Sequence, residues 1–325
     1  MSSEQQFIPL KPLSTAVLFL VFNRLDTTQQ VFQSIRQAQP PRLYIAADGA
    51  RKDKEGEAEK VQAIRDYILE NIDWSCEVKT LFREENLGCG ESLNQAISWF
   101  FDYEEYGIII EDDCLPVQSF YWFCEEILLK YINDDRIGIV VGTNHISEEF
   151  VLDKDYSFTN FKACWGWASW RRAWKYMDFA MQWRASAQAT DIIRNMGPGR
   201  KTIKYYKEAL EYIDNKQVNT WDWHWFFSLS AQNQLCVFPK FNLVSNLGFG
   251  DDATHTFGTA PTTYLKVKDL SFPLKHPDFV LPNSKYDICY EKKVIKIRGF
   301  KKYIPQVFKV FLRPLKNILL NNFIK

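Results

Sequence analysis

The sequence predicts an α/β fold with a mainly parallel sheet flanked by helices, on three observations. Strand and helix patterns alternate from residue 12 to residue 146. The strand segments are continuously apolar, as in Ala16–Phe22 (A-V-L-F-L-V-F), which is the pattern of strands covered on both faces. Polar residues collect just after each apolar run, at what becomes one edge of a parallel sheet.

Each element follows in order. The first strand stops at Asn23-Arg24, and Asp26 opens a helix with Gln29 at capping-box spacing and Val31, Phe32 and Ile35 on one face. Leu43–Ala47 is a second strand, ending in Asp48-Gly49. Val61, Ile64, Ile68 and Ile72 mark the next helix. Cys76–Phe82 is a third strand, followed by a loop over Arg83–Gly90 and a helix carrying Leu93, Ala96, Ile97, Phe100 and Phe101. The fourth strand, from Tyr106, runs straight into Glu111, Asp112 and Asp113. A helix with Phe120, Cys124, Ile127, Leu128 and Tyr131 follows, then a fifth strand, Ile137–Val141, ending in Gly142-Thr143-Asn144. Asn23, Arg24, Asp48, Arg83, Glu111–Asp113 and Asn144 therefore share one sheet edge, where such sheets bind ligands.

Three adjacent carboxylates at the end of an apolar strand call for positive charge among them. A hard divalent cation, or the polar face of a nucleotide or sugar, supplies the need. The competing explanation is capping of the following helix, for which one Asp suffices. The G-x-x-x-x-G-K-[ST] phosphate loop is absent, which excludes a P-loop nucleotidase. Asp48 in A-D-G also reads as a turn former, Arg83 as a surface ion pair, and Gly88-Cys89-Gly90 as a turn before a helix.

Composition narrows the class. A chain of 325 residues with 46% hydrophobic and 25% charged residues is long enough for one large domain or two small ones. Net charge is zero, but residues 291–325 hold ten Lys or Arg against one Glu, so this tail carries +9 and the remainder −9. An acidic body argues against nucleic acid as partner and for a cation requirement. Seven cysteines without a C-x-x-C motif read as free thiols of a reducing compartment. Neither a signal-peptide pattern nor an apolar run of about 20 residues occurs, which predicts a cytoplasmic protein.

From about Ser147 the alternation is lost and tryptophan dominates: W-G-W-A-S-W-R-R-A-W over Trp165–Trp174 and W-D-W-H-W over Trp221–Trp225. Such segments read either as a wall stacking on sugar or as plain core.

Taken with these, Ile108–Phe123 (I-I-I-E-D-D-C-L-P-V-Q-S-F-Y-W-F) resembles the E-D-D strand and following helix of the N-acetylglucosaminyltransferase I family. L-V-F-N-R, A-A-D-G, E-D-D, G-W-A-S-W, W-D-W-H-W and G-F-G-D-D-A-T-H-T occur in the family's order, over roughly Pro12–Phe257. The resemblance implies the GT-A (nucleotide-diphospho-sugar transferase) fold, with an aromatic-rich acceptor-side half, and metal-dependent inverting transfer from a UDP-sugar to a hydroxyl of a glycan or lipid-linked acceptor. By position it implies Arg24 at the diphosphate, Asp48 at the uracil, Asp112 at the ribose or donor sugar, and Glu111 at the transferred sugar, with Asn23 and Arg83 on the same donor edge. It implies Asp113 as ligand of Mn²⁺ (or Mg²⁺), with His255 as a second candidate ligand, and Asp222 as the base. Asp251 and Asp252 are the alternative bases. The family has W-D-D-W where this chain has one Asp, so the register of the base is open. Members with an N-terminal membrane anchor differ from this chain, whose N-terminus shows none, so donor sugar and acceptor do not carry over.

The expected organisation is a nucleotide-sugar half over residues 12–146, an acceptor and catalytic half over 147–290, and a basic amphipathic tail over 291–325. In the tail Ile304, Val307, Phe308, Phe311, Leu315, Ile318 and Leu319 form an apolar stripe beside lysines. It suits peripheral contact with an anionic inner membrane face, or packing on its own domain, and Pro305 and Pro314 interrupt it. Two rival functions stand beside glycosyl transfer: a nucleotidyltransferase on a related sheet, which wants a glycine-rich loop after the first strand, and a non-catalytic carbohydrate-binding relative, which needs no E-D-D.

Overall fold

The computed structural model describes residues 7–216, 218–248 and 265–295. Asp251, Asp252, His255 and the tail stripe lie outside the described residues.

Eight strands form one sheet: β1 (Val17–Val21), β2 (Arg42–Ala47), β3 (Glu77–Phe82), β4 (Tyr106–Glu111), β6 (Ile137–Val141), β7 (Tyr156–Thr159), β8 (Trp167–Trp170) and β9 (Leu235–Pro239). Their spatial order is β3-β2-β1-β4-β8-β6-β9-β7. A separate two-stranded ribbon pairs β5 (Cys114–Pro116) with β10 (Val244–Asn246). The helices that bear on the site are α1 (Leu25–Ala38), α2 (Glu57–Glu70), α3 (Cys89–Tyr103), α4 (Ser119–Lys130) and the Asp222–Ala231 helix.

The expected sheet was mainly parallel, and the observed one is mixed. Pairs β1–β2, β2–β3, β1–β4 and β6–β9 are parallel, whereas β8 is antiparallel to both β4 and β6, and β7 is antiparallel to β9. Because β8 inverts twice, β6 and β9 point the same way as β1–β4. Six C-terminal strand ends therefore still share one rim, and the segment leading into β8 arrives at that rim as well. The apolar runs could not distinguish the two directions, since a strand covered on both faces is apolar whichever way it runs.

Alternation along β1 explains the double burial. Val17, Phe19 and Val21 enter a core with Val31, Phe32 and Ile35 of α1, Ile64 and Ile68 of α2, and Phe120 and Phe123 of α4. Ala16, Leu18 and Leu20 enter the opposite core with Ile97 and Phe100 of α3 and with Trp225 and Phe227. Each such aromatic or branched side chain contributes about 1.5–3 kcal/mol by leaving water.

Packing claims most of the tryptophans. Trp167, Trp170 and Trp225 have no exposed surface. Trp167 stacks on Trp221 at 5.3 Å and Trp174 tilts against Trp225 at 4.8 Å. The sugar-wall expectation thus fails for these five. Trp165 and Trp223 are only partly buried. All seven cysteines are free thiols. Among the described residues, no helix is long and apolar enough to cross a membrane.

Candidate active site

The acidic segment is held by three elements. β4 delivers Glu111 at its last position, and the turn Asp112-Asp113 leads into β5, whose ribbon with β10 is continued by the Leu247 N–H donating to the Asp113 carbonyl at 2.7 Å. From the end of β1 the Phe22 N–H donates to Asp112 Oδ2 at 3.3 Å. The guanidinium of Arg24 then donates to Asp112 Oδ1 at 2.5 Å and to Asp113 Oδ2 at 3.0 Å. A β-carbon on Gly248 would displace Asp113 Oδ2 from its present place.

The capping explanation for the three acids fails on this geometry. α4 begins only at Ser119, its N-cap Gln118 makes no side-chain cap bond, and the Ser119 N–H is taken by Asp269 Oδ1 at 2.9 Å. The predicted capping box at Asp26 and Gln29 is also absent. α1 starts at Leu25 with Arg24 as an extended N-cap that makes no side-chain cap bond: a guanidinium has no acceptor for the helix N–H groups, and this one donates to the carboxylates.

Asp222 is the first residue of its helix. Its Oδ1 accepts from Thr220 Oγ1 and from the Trp223 N–H at 2.9 Å, and its Oδ2 faces the Cys164 thiol at 3.8 Å. The field of this carboxylate reaches the acidic strand end. The Glu111 carboxyl is desolvated, although part of the residue reaches solvent. Burial, followed by repulsion from Asp113, Asp112 and Asp222, pushes it well above the usual range against the pull of Arg24. Burial likewise raises Asp112, to about 6, with Arg24 opposing and Asp113 adding to it. Cys89, the first residue of α3, is raised by burial and then by Glu111, Asp222, Asp113 and Asp112 in turn. Four carboxylates from both halves of the sequence thus act on one another around the start of α3. Arg24 is the cation ion-paired to this group among the described residues.

The other predicted site residues are placed differently. Asn23 donates to Glu57 Oε1 at 2.8 Å, and Glu57 is clamped by Arg51. The Asp48 carboxylate accepts from the backbone N–H groups of Gly49, Leu87 and Gly88, so it fastens the turn before α3. Arg83 sits half-buried after β3, its N–H donating to Ala47 and its carbonyl accepting from Arg65. Asn144 is wholly buried and binds the carbonyls of Pro239 and Lys240, a structural cross-link. His224 is buried and stacks on Phe179 at 4.5 Å.

No protein-family model and no curated protein matches the chain. Among solved structures it is similar to S. aureus TarS 1–349, with 10% identity and a TM-score of 0.39 over 71% of this chain. It spans 59% of that fragment. It is also similar to HddC from Yersinia pseudotuberculosis, with 11% identity and a TM-score of 0.30 over 49% of this chain and 77% of that one. Likeness at this level assigns neither activity nor substrate.

Residues that pattern reading missed complete the site. Cys164 and Thr220 touch Asp222, Gly248 makes room for Asp113, and Cys114 donates weakly to Asp113 Oδ1 at 3.4 Å. Cys114 and Gly248 lie inside segments already singled out, while Cys164 and Thr220 only flank the tryptophan segments, and only the fold brings the four together. Among the described residues, no group of three or more His, Cys, Asp or Glu is arranged to hold a metal ion alone. The donor set is nevertheless one of hard oxygens in charge excess, with Asp113 Oδ1 engaged, among the described residues, by a thiol. It fits a hard dication whose remaining ligands come from substrate and water.

Proposed function

We propose that the chain is a metal-dependent glycosyltransferase that moves a sugar from a UDP-sugar to a hydroxyl of a glycan or lipid-linked acceptor with inversion. The observation that carries this reading is an excess of carboxylates: Glu111, Asp112 and Asp113 at the end of β4 interact electrostatically with Asp222 at a helix start, and Arg24 is ion-paired to two of the four. A bound dication would complement that excess and carry the anionic diphosphate.

Asp113 would hold Mn²⁺ or Mg²⁺ together with the diphosphate oxygens, and the ion would neutralise charge on the leaving group. Arg24 has two anionic partners in its present pose and can turn to the diphosphate. Asp112, fixed by Arg24 and the Phe22 N–H, faces the ribose or donor sugar. Glu111, pushed above the usual carboxylate range by burial and its neighbouring carboxylates, faces the transferred sugar. Asp222, oriented by Thr220 and Trp223, takes the proton of the acceptor hydroxyl as its oxygen attacks the anomeric carbon and the nucleoside diphosphate departs. Asp48 shapes the turn that borders the donor side.

Calorimetric titration of UDP, with and without Mn²⁺, tests the reading on the wild type and on Asp113→Ala. Metal-dependent binding that disappears in the variant is the expected result. Absence of UDP binding in both conditions sinks the donor assignment.

A further inference from the structure

The reach of Asp222 toward the acidic strand end depends on a contact that spans the sequence. The helix α3 opens on Gly88, a residue with no side chain to cap it. Its cap comes from elsewhere: Asn219 Oδ1 accepts from the Gly90 N–H at 2.9 Å, across 129 positions. The Asn219 side chain fills the space on both flanking glycines. A β-carbon on Gly88, whose φ is +78°, would strike Asn219 Nδ2. One on Gly90 would lie 2.5 Å from Asn219 Oδ1 and 3.0 Å from the Thr220 carbonyl.

The contact is continuous with polar links on either side. Upstream, Asp48 holds the Leu87 and Gly88 N–H groups and so fixes the turn that Asn219 meets. Downstream, Thr220 donates to Asp222 Oδ1, one residue after Asn219. An unbroken chain of hydrogen bonds and short backbone links thus runs from the end of β2, through the glycine turn, to the carboxylate of Asp222.

We infer that Asn219 is a positioning residue that caps α3 from the second half of the chain and thereby sets Asp222 against the acidic strand end. The inference rests on Asp222 as the base of the proposed transfer, but the clamp itself is a structural claim with its own readouts. An N-cap bond of this kind holds a loop without deciding whether the protein folds. A side chain at either glycine would displace the Asn219 side chain, and the positive φ of Gly88 disfavours any other residue there.

The test uses the full chain carrying Asn219→Ala, Asn219→Asp and, from the opposite side of the contact, Gly90→Ala. Amide hydrogen exchange of the peptide containing Gly90, and alkylation of the Cys164 thiol that faces Asp222, read the clamp without any turnover. Asn219→Ala is expected to speed exchange at Gly90 roughly tenfold and to raise Cys164 alkylation, and Asn219→Asp, which keeps the acceptor oxygen, restores both. In UDP-sugar turnover, Asn219→Ala and Gly90→Ala should each lower kcat roughly tenfold, because the base is misplaced. The donor KM should stay within about twofold, and Asn219→Asp should recover kcat. Unchanged exchange and alkylation in Asn219→Ala overturn the clamp. Faster exchange with unchanged kcat overturns the positioning role. A wild type that turns over no nucleotide sugar refutes the transferase reading instead, and the clamp then stands or falls on exchange and alkylation.

Discussion

The two rims of the sheet both carry acidic side chains, and they use them in opposite ways. At the N-terminal rim, Glu125 Oε2 accepts four bonds from the backbone N–H and hydroxyl groups of Ser14 and Thr15, just before β1, and Oε1 pairs with Lys11 at 2.9 Å. Glu104, just before β4, accepts from Arg42 Nε at 2.7 Å and from Tyr44 Oη at 2.9 Å. Burial would raise Glu125, but Lys11, Ser14 and Thr15 outweigh it and hold the carboxyl below its usual range. At the C-terminal rim, Glu111 is pushed the other way by burial and by three neighbouring carboxylates. The first rim is satisfied internally and fastens the fold. The second is not satisfied in this way: its carboxylates repel one another, and Arg24 pairs with two of them.

The comparison makes measurable claims. The largest effect belongs to Asp222→Asn, which should lower kcat about a thousandfold, near 4 kcal/mol of transition-state stabilisation. UDP binding and melting temperature should be retained. A loss under about tenfold would remove Asp222 from the role of base. Next comes Glu125→Ala at the other rim, expected to cost about 3 kcal/mol in denaturant unfolding because Ser14 and Thr15 lose their acceptor in a buried place. Wild-type-like stability there would mean that the two rims do not differ as described. Glu104→Gln keeps a neutral acceptor for Arg42 and Tyr44 and should cost only about 1 kcal/mol.

The smallest and sharpest effect is the pH dependence of stability, measured without metal. Glu125, held low, contributes stability that is full above the unfolded glutamate range and is lost as pH falls through its lowered folded value. Glu111, pushed high, contributes the reverse: its term is full below the unfolded range and is lost as pH rises through its raised folded value. The gap between wild type and Glu125→Gln should therefore close on acidification. Glu111→Gln should instead gain on the wild type as pH rises from acid to alkaline. Parallel curves for the two variants would contradict the contrast.

Much of the donor edge was readable in the residue order. Continuous apolar runs mark strands covered on both faces, and chain order in a β-α repeat places their polar successors on one rim, so Arg24, Asp112 and Asp113 could be grouped before any coordinates. The acids could not be given their role that way, because a helix cap and a ligand site look alike until Asp269 is found occupying the start of α4. Tryptophan spacing was equally ambiguous, since stacking on sugar and stacking on Trp221 call for the same side chain.

By itself, then, the sequence determined the existence and position of β1, β2, β3, β4 and β6 and the acidic terminus of β4, because these follow from local patterning, whereas the short strand β5 was not legible. Only the tertiary structure decided the antiparallel insertion of β8, the burial of Trp167, Trp170, Trp174, Trp221 and Trp225, and the contact of Asn219 with the start of α3. Those depend on contacts between residues far apart in the chain, such as Gly90 with Asn219. No local pattern encodes which distant partner a turn will find.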